Sequence, residues 1–141
     1  MNANTNIFRI LIDTNVLISY VISENSVAGK LIHFISKHHR LLICSYSITE
    51  ASSVIARKFP GKSASWEHII ASLNFQLIYT PEQKPSFHVP QIHDEKDIPI
   101  LISAVLAQPD ILISGDSHFH TAVIKQYFAV YTPADFLRDF G

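Results

Sequence analysis

The chain has 141 residues, the size of one ordinary domain, so residues 1–141 are read as a single domain. Hydrophobic residues make up 48% and charged residues only 16%, a balance that excludes intrinsic disorder. Eleven Lys and Arg against twelve Asp and Glu leave a formal charge of −1, without the basic excess of a sequence-reading DNA binder, so any nucleic-acid contact must come from a local patch. The lone cysteine, Cys44, excludes a disulfide framework and a cysteine-based zinc site, and it fits a reducing compartment. Met1–Asn6 is polar rather than signal-like, and the apolar run Ile98–Ala107 is too short for a membrane span, so a cytoplasmic protein without membrane contact is expected.

The first apolar run, Ile7–Ile12, reads as a buried strand, and Asp13 follows it directly. Val27, Leu31, Ile35 and His38 then recur at helical spacing. Opposite that face stand Lys30, His33, Lys37 and Arg40, which form either a solvated face or a phosphate-contacting stripe. A second strand, Leu41–Ser45, leads into a helix marked by Ile48, Ala51, Ile55 and Phe59 and stopped by Pro60 and Gly61. Trp66, Ile69, Ile70 and Leu73 mark a third helix, with Trp66 assigned to core or dimer packing. Strand Phe75–Tyr79 precedes an irregular stretch, Thr80–His93, that carries Pro81, Pro85 and Pro90. Ile98, Leu101, Ile102 and Val105 form a fourth helix, apolar nearly all round and expected to be buried. Strand Ile111–Ser114, a helix near Phe119–Tyr127, strand Phe128–Tyr131 and a turn from Pro133 complete the chain. Strands alternating with helices predict an α/β fold, a three-layer α/β/α sandwich around a central parallel sheet of five strands.

In such a sheet the ligand crevice lies beyond the carboxyl ends of the strands, at the point where the strand order reverses. Asp13 and Asp116 follow the first and fourth strands, Glu50 lies early in the second helix, and Asp97 opens the fourth. Four carboxylates converging on one edge need a cation, and clustered carboxylate oxygens suit Mg²⁺ or Mn²⁺. An ion held in this way activates water and stabilises phosphoryl charge, which makes phosphodiester hydrolysis the first reaction class to consider. Each acid also has a second reading. Ser47-Ile48-Thr49-Glu50 fits a capping box, Asp97 suits a helix dipole, and Asp116 can cap the following turn. Thr14 and Asn15 are candidates for orienting Asp13 or its water.

The order of these segments resembles the PIN-domain nucleases, in particular the VapC-like toxins of toxin–antitoxin systems. Ile10–Ser19 resembles the family's opening strand with Asp13 as first metal ligand, and Ser45–Glu50 resembles its second acidic segment. Asp94–Leu101 resembles the third, with Asp97 as its acid, and Leu112–Phe119, containing Ser114 and Asp116, resembles the fourth. Thr132–Leu137 resembles the closing segment. The resemblance implies a divalent-metal-dependent endoribonuclease in which Asp13, Glu50, Asp97 and Asp116 hold Mg²⁺ or Mn²⁺, with products bearing a 5′-phosphate and a 3′-hydroxyl. It further implies an RNA substrate, a small antitoxin that covers the acidic crevice, and a homodimer. Lys30, Lys37 and Arg40 would be the candidate RNA contacts. Two departures stand out: His118 and Ile98 occupy positions where the family often carries further acids. They leave one ion supported and a second in question, with His118 read as a phosphate contact or surface residue before a weak ligand.

No Walker loop, GxGxxG or GxSxG is present, so nucleotide-dependent and serine-hydrolase readings have no motif. Two rivals remain. One is a catalytically weak or inactive PIN fold acting as an RNA-binding or scaffold module. The other is a phosphotransfer domain using Asp13 as nucleophile, which would want an acid at position 15, where Asn stands.

Overall fold

The computed structural model describes residues 6–83 and 85–141. Among them, five parallel strands are arranged β3-β2-β1-β4-β5: β1 Arg9–Ile12, β2 Arg40–Cys44, β3 Gln76–Ile78, β4 Ile111–Ile113 and β5 Val130–Tyr131. Seven helices connect and follow them: α1 Thr14–Ile22, α2 Val27–His38, α3 Ser45–Lys58, α4 Ser63–Ser72, α5 Ile98–Ala107, α6 Ala122–Lys125 and α7 Pro133–Phe140. No described helix is long and apolar enough to cross a membrane.

The strands sort their side chains by the alternation inherent in a pleated backbone. Ile10, Ile12, Leu41, Ile43, Ile111 and Ile113 face one layer, where they meet Leu31, Ile35, Ala51, Ile55, Trp66 and Phe136 of the helices α2, α3, α4 and α7. Leu11, Leu42, Cys44 and Leu112 face the other, against Ile100, Leu101 and Ala104 of α5, with Phe119, Ile124 and Phe128. The three central strands, β1, β2 and β4, are apolar on both faces because both faces are covered, whereas the edge strands β3 and β5 are only partly buried. The three-layer sandwich follows.

Strand ends are one or two residues shorter than the apolar runs suggest, and several elements differ in kind. In the segment Ile10–Ser19 the strand stops at Ile12, where the apolar run ends, and Thr14–Ile22 is a helix that lies outside the elements expected from the sequence. Only Asn15 and Ser19, four apart, are exposed, so the polar stripe that would mark it as a helix is two residues wide. Ser47–Glu50 is not a capping box, because α3 already starts at Ser45 and Ser47 is fully buried in the helix. The helix expected at Phe119–Tyr127 is a 3₁₀ turn, Ser117–His120, followed by the four-residue α6. α5 buries Ile100 through Ala104 but leaves Ile98 and Leu106 exposed, so it is not buried all round. Val27 is likewise exposed, and α2 turns Ala28, Leu31, Ile32 and Ile35 inward. Trp66 belongs to the core, its indole N–H donating to Ser52 Oγ at 2.9 Å across α3 and α4.

The α1–α2 corner depends on Gly29. A methyl group at that position would stand 2.0 Å from the backbone carbonyl oxygen of Glu24 and 3.2 Å from the Tyr20 ring. Gly29→Ala should therefore destabilise the fold by roughly 1–3 kcal/mol, the usual cost of overpacking, and thermal melts will show it. An unchanged melting temperature would mean that the corner yields freely.

Candidate metal centre

The strand order reverses between β1 and β4, and the crevice sits at their carboxyl ends. Asp13 ends β1 and caps α1, its Oδ1 accepting the Val16 amide at 2.9 Å. Its Oδ2 accepts the Ser114 hydroxyl from the end of β4. The same Ser114 Oγ accepts the Asp116 amide at 2.9 Å, and Asp116 Oδ1 accepts the His118 amide at 2.9 Å. His120 Nε2–H donates to the Ser114 carbonyl at 2.7 Å, and Phe119, fully buried, anchors this loop to the sheet. Asp13 and Asp116 thus act as caps, and they lie close enough for the charge of Asp116 to raise Asp13.

Asp97 lies at the start of α5 and makes no capping bond. It is only 9% exposed, yet its Oδ2 has no hydrogen-bond partner, and neither has the buried Nδ1 of His118 beside it. Burial pushes the Asp97 carboxyl up to about 7, with the charges of Asp116, Asp94 and Asp13 adding to the rise. Burial likewise raises Asp13 to about 6 against the hydrogen bonds from Ser114 and Val16 that favour its anion, with Asp116 adding to the rise. The structure therefore brings Asp13, Asp97 and Asp116 into one mutually repelling group. Among the described residues none of them forms an ion pair with Lys or Arg.

Glu50 stands apart from this group: its Oε2 accepts the hydroxyl of Tyr46, one helical turn earlier, at 2.8 Å, and its charge is not among those that raise Asp97 or Asp13. Burial, that bond, and the charges of Glu50 and Asp97 all raise the Tyr46 phenol, so Tyr46 stays a neutral donor to Glu50. Thr14 donates its hydroxyl to Ser47 at 2.8 Å rather than to Asp13, and Asn15 is exposed. Ser114 and the Val16 amide are the groups that orient Asp13.

Asp94, Tyr46 and His120 were not picked out in the sequence as site residues. Asp94, Asp97 and His118 each offer a ligand atom within 4.8 Å of the others. The spacing Asp94–Asp97, one turn apart, was the available signal. Tyr46 and Glu50, four apart on one helix, were another. His120, which braces Ser114, had none.

The basic stripe falls elsewhere. Lys30, Lys37 and Arg40 are exposed, and Arg40 opens β2 in register with Arg9 at the amino edge of the sheet, opposite the acids. Lys37, His38, His39, Arg40 and Asn74 line a cleft of about 430 Å³ there.

A family model described as PIN domain matches residues 9–118. The fold matches the crystal structure of VapBC2 from Rickettsia felis, bound to a DNA fragment from their promoter. The TM-score is 0.64 and the identity 14%, over 87% of this chain and 97% of that one. No curated protein matches the sequence.

Proposed function

The chain belongs to the PIN domain family, whose members are generally nucleases, and from that premise we propose that it is a divalent-metal-dependent endoribonuclease acting as one domain over residues 1–141. The observation that carries the metal reading is the unpartnered, buried Asp97 Oδ2 among neighbouring carboxylates that no described cation neutralises. An orphaned buried acceptor of this kind is costly unless a positive group completes it. Asp13, Asp97 and Asp116, with Glu50 directly or through water, would hold Mg²⁺ or Mn²⁺. Such an ion, when bound, polarises a phosphoryl oxygen and lowers the pKa of bound water.

The protein's own part is orientation and proton bookkeeping. Ser114 and the Val16 amide lock the Asp13 carboxylate so that it needs little reorganisation on binding. Tyr46 holds Glu50 on the rim of the crevice. Asp97, raised to about 7, must release its proton when a cation arrives, so binding is expected to release protons near neutral pH. A cleavage assay on single-stranded RNA with Mg²⁺, Mn²⁺ and chelator tests the reading, and turnover that persists in excess chelator would overturn it.

The resemblance to VapC-like toxins and the fold shared with VapBC2 support a toxin role: a cytoplasmic homodimer held inactive by a small antitoxin. Expression of the chain alone should then arrest growth, and the Asp13→Asn form should not. His118, standing where an acid is common, supports the second reading, an inactive RNA-binding or scaffold module; RNA binding without cleavage under every metal would favour it.

If the amino-edge cleft touches RNA, the double variant Lys37→Ala with Arg40→Ala should weaken binding. The slope of log K against log[salt] should fall by about 1.4, two single-strand phosphate contacts at about 0.7 each. An unchanged slope leaves the stripe as a solvated face.

A further inference from the structure

His118 turns its ring toward Asp97 and Asp116, although a phosphate contact or a surface residue was the expectation. Its Nδ1 lies 3.4 Å from Asp116 Oδ1 and 3.8 Å from Asp97 Oδ2, buried and without a hydrogen-bond partner. These separations exceed the roughly 2.7–2.9 Å of a charge-assisted N–H···O bond, so a proton on Nδ1 does not satisfy either oxygen. They do suit a cation between them, because two ligand atoms each about 2.1 Å from one ion can lie up to about 4.2 Å apart. The ring is also held in place before any ion arrives. Its backbone amide is tied to Asp116 at 2.9 Å, the next residue is the buried anchor Phe119, and the His93 ring packs against it at 5.0 Å. Asp97, 9% exposed, presents its own unpartnered Oδ2 to the same gap, so both sides of it carry a buried polar atom left unsatisfied.

Resting on the metal reading above, we propose that His118 Nδ1 is a ligand of the cation, together with Asp97, so that this centre is a mixed nitrogen–oxygen site favouring Mn²⁺ and later transition divalents over Mg²⁺. Mg²⁺ keeps an octahedral shell of oxygens and sheds water reluctantly, whereas imidazole nitrogen raises affinity along the transition series. An acid at position 118 would give an oxygen-only site with weaker discrimination. The departure from the family pattern thus becomes a determinant of metal choice rather than the loss of a ligand.

Metal-free wild type, His118→Gln, His118→Asp and His93→Ala should be titrated with Mn²⁺ and Mg²⁺ by calorimetry, and the Mn²⁺-loaded proteins examined by electron spin-echo spectroscopy. The wild type and His93→Ala should show coupling of Mn²⁺ to an imidazole nitrogen, and both His118 variants should lack it. The ratio of the Mg²⁺ to the Mn²⁺ dissociation constant should fall about tenfold in His118→Asp, which restores an oxygen ligand and guards against misfolding of His118→Gln. Bound Mn²⁺ without nitrogen coupling in the wild type, or coupling that survives in both His118 variants, would overturn the assignment while leaving the metal centre intact. If the wild type binds neither ion, the metal reading itself falls, and the His118 assignment with it.

Discussion

Asp97→Asn and Asp13→Asn should each lower metal-dependent RNA cleavage by at least about 100-fold, since changing merely the groups that orient a metal's ligands commonly costs 10–100-fold. Asp97 is the sharper test. Its side chain makes no capping bond and leaves one buried oxygen without a partner, so substitution removes little except charge and a ligand. Asp13→Asn changes more, because the replacement must still serve the Val16 amide and the Ser114 hydroxyl. An amide offers one acceptor oxygen where the carboxylate offers two. Cleavage rates at saturating Mg²⁺ and Mn²⁺, beside melting curves of each variant, separate lost chemistry from lost structure. Full activity in Asp97→Asn would remove that carboxylate from the reaction.

The sheet was readable because burial on both faces writes itself as short apolar runs, and Asp13, Asp97 and Asp116 stood out because each follows such a run or opens a helix. What stayed hidden depended on neighbours distant in sequence. Thr14–Ile22 is mostly buried, and its only exposed polar positions, Asn15 and Ser19, are too few to announce a helix although they stand four apart. Ser47-Ile48-Thr49-Glu50 suggested a cap, yet the helix begins at Ser45, whose hydroxyl oxygen accepts the amide of Thr80 just beyond β3, a partner distant in sequence. The direction of His118 is set by a 3₁₀ turn pinned through Phe119, which no local pattern announces. Lys37 and Arg40 share a surface stripe in the sequence, and only the parallel register shows that they lie at the edge opposite the carboxylates.

Metal-free protein should become more stable on mild acidification, and the metal-loaded protein should not. Asp13 and Asp97 sit at about 6 and about 7 in the folded chain, against an ordinary value of 3.8. Above pH 7 both are charged and the fold carries their desolvation and mutual repulsion. As pH falls through 7 and then 6, the folded protein takes up protons that the unfolded chain does not bind until near 3.8, so folding gains free energy across that window. At one pKa unit to about 1.4 kcal/mol, the relief is on the order of a few kcal/mol. Asp97→Asn should therefore raise the melting temperature of the metal-free protein at pH 8 and flatten its pH dependence. Cation binding acts in the opposite sense. It stabilises the fold by about 2.7 kcal/mol at one hundred times the dissociation constant, and that gain is lost as the ligand carboxylates protonate. Melts of wild type and Asp97→Asn between pH 8 and pH 5.5, with Mn²⁺ and with chelator, give four curves whose slopes must cross in this way. If the acids served only as caps and dipole partners, their folded pKa values would lie low, Asp97→Asn would cost stability, and the ion would leave the curves unmoved.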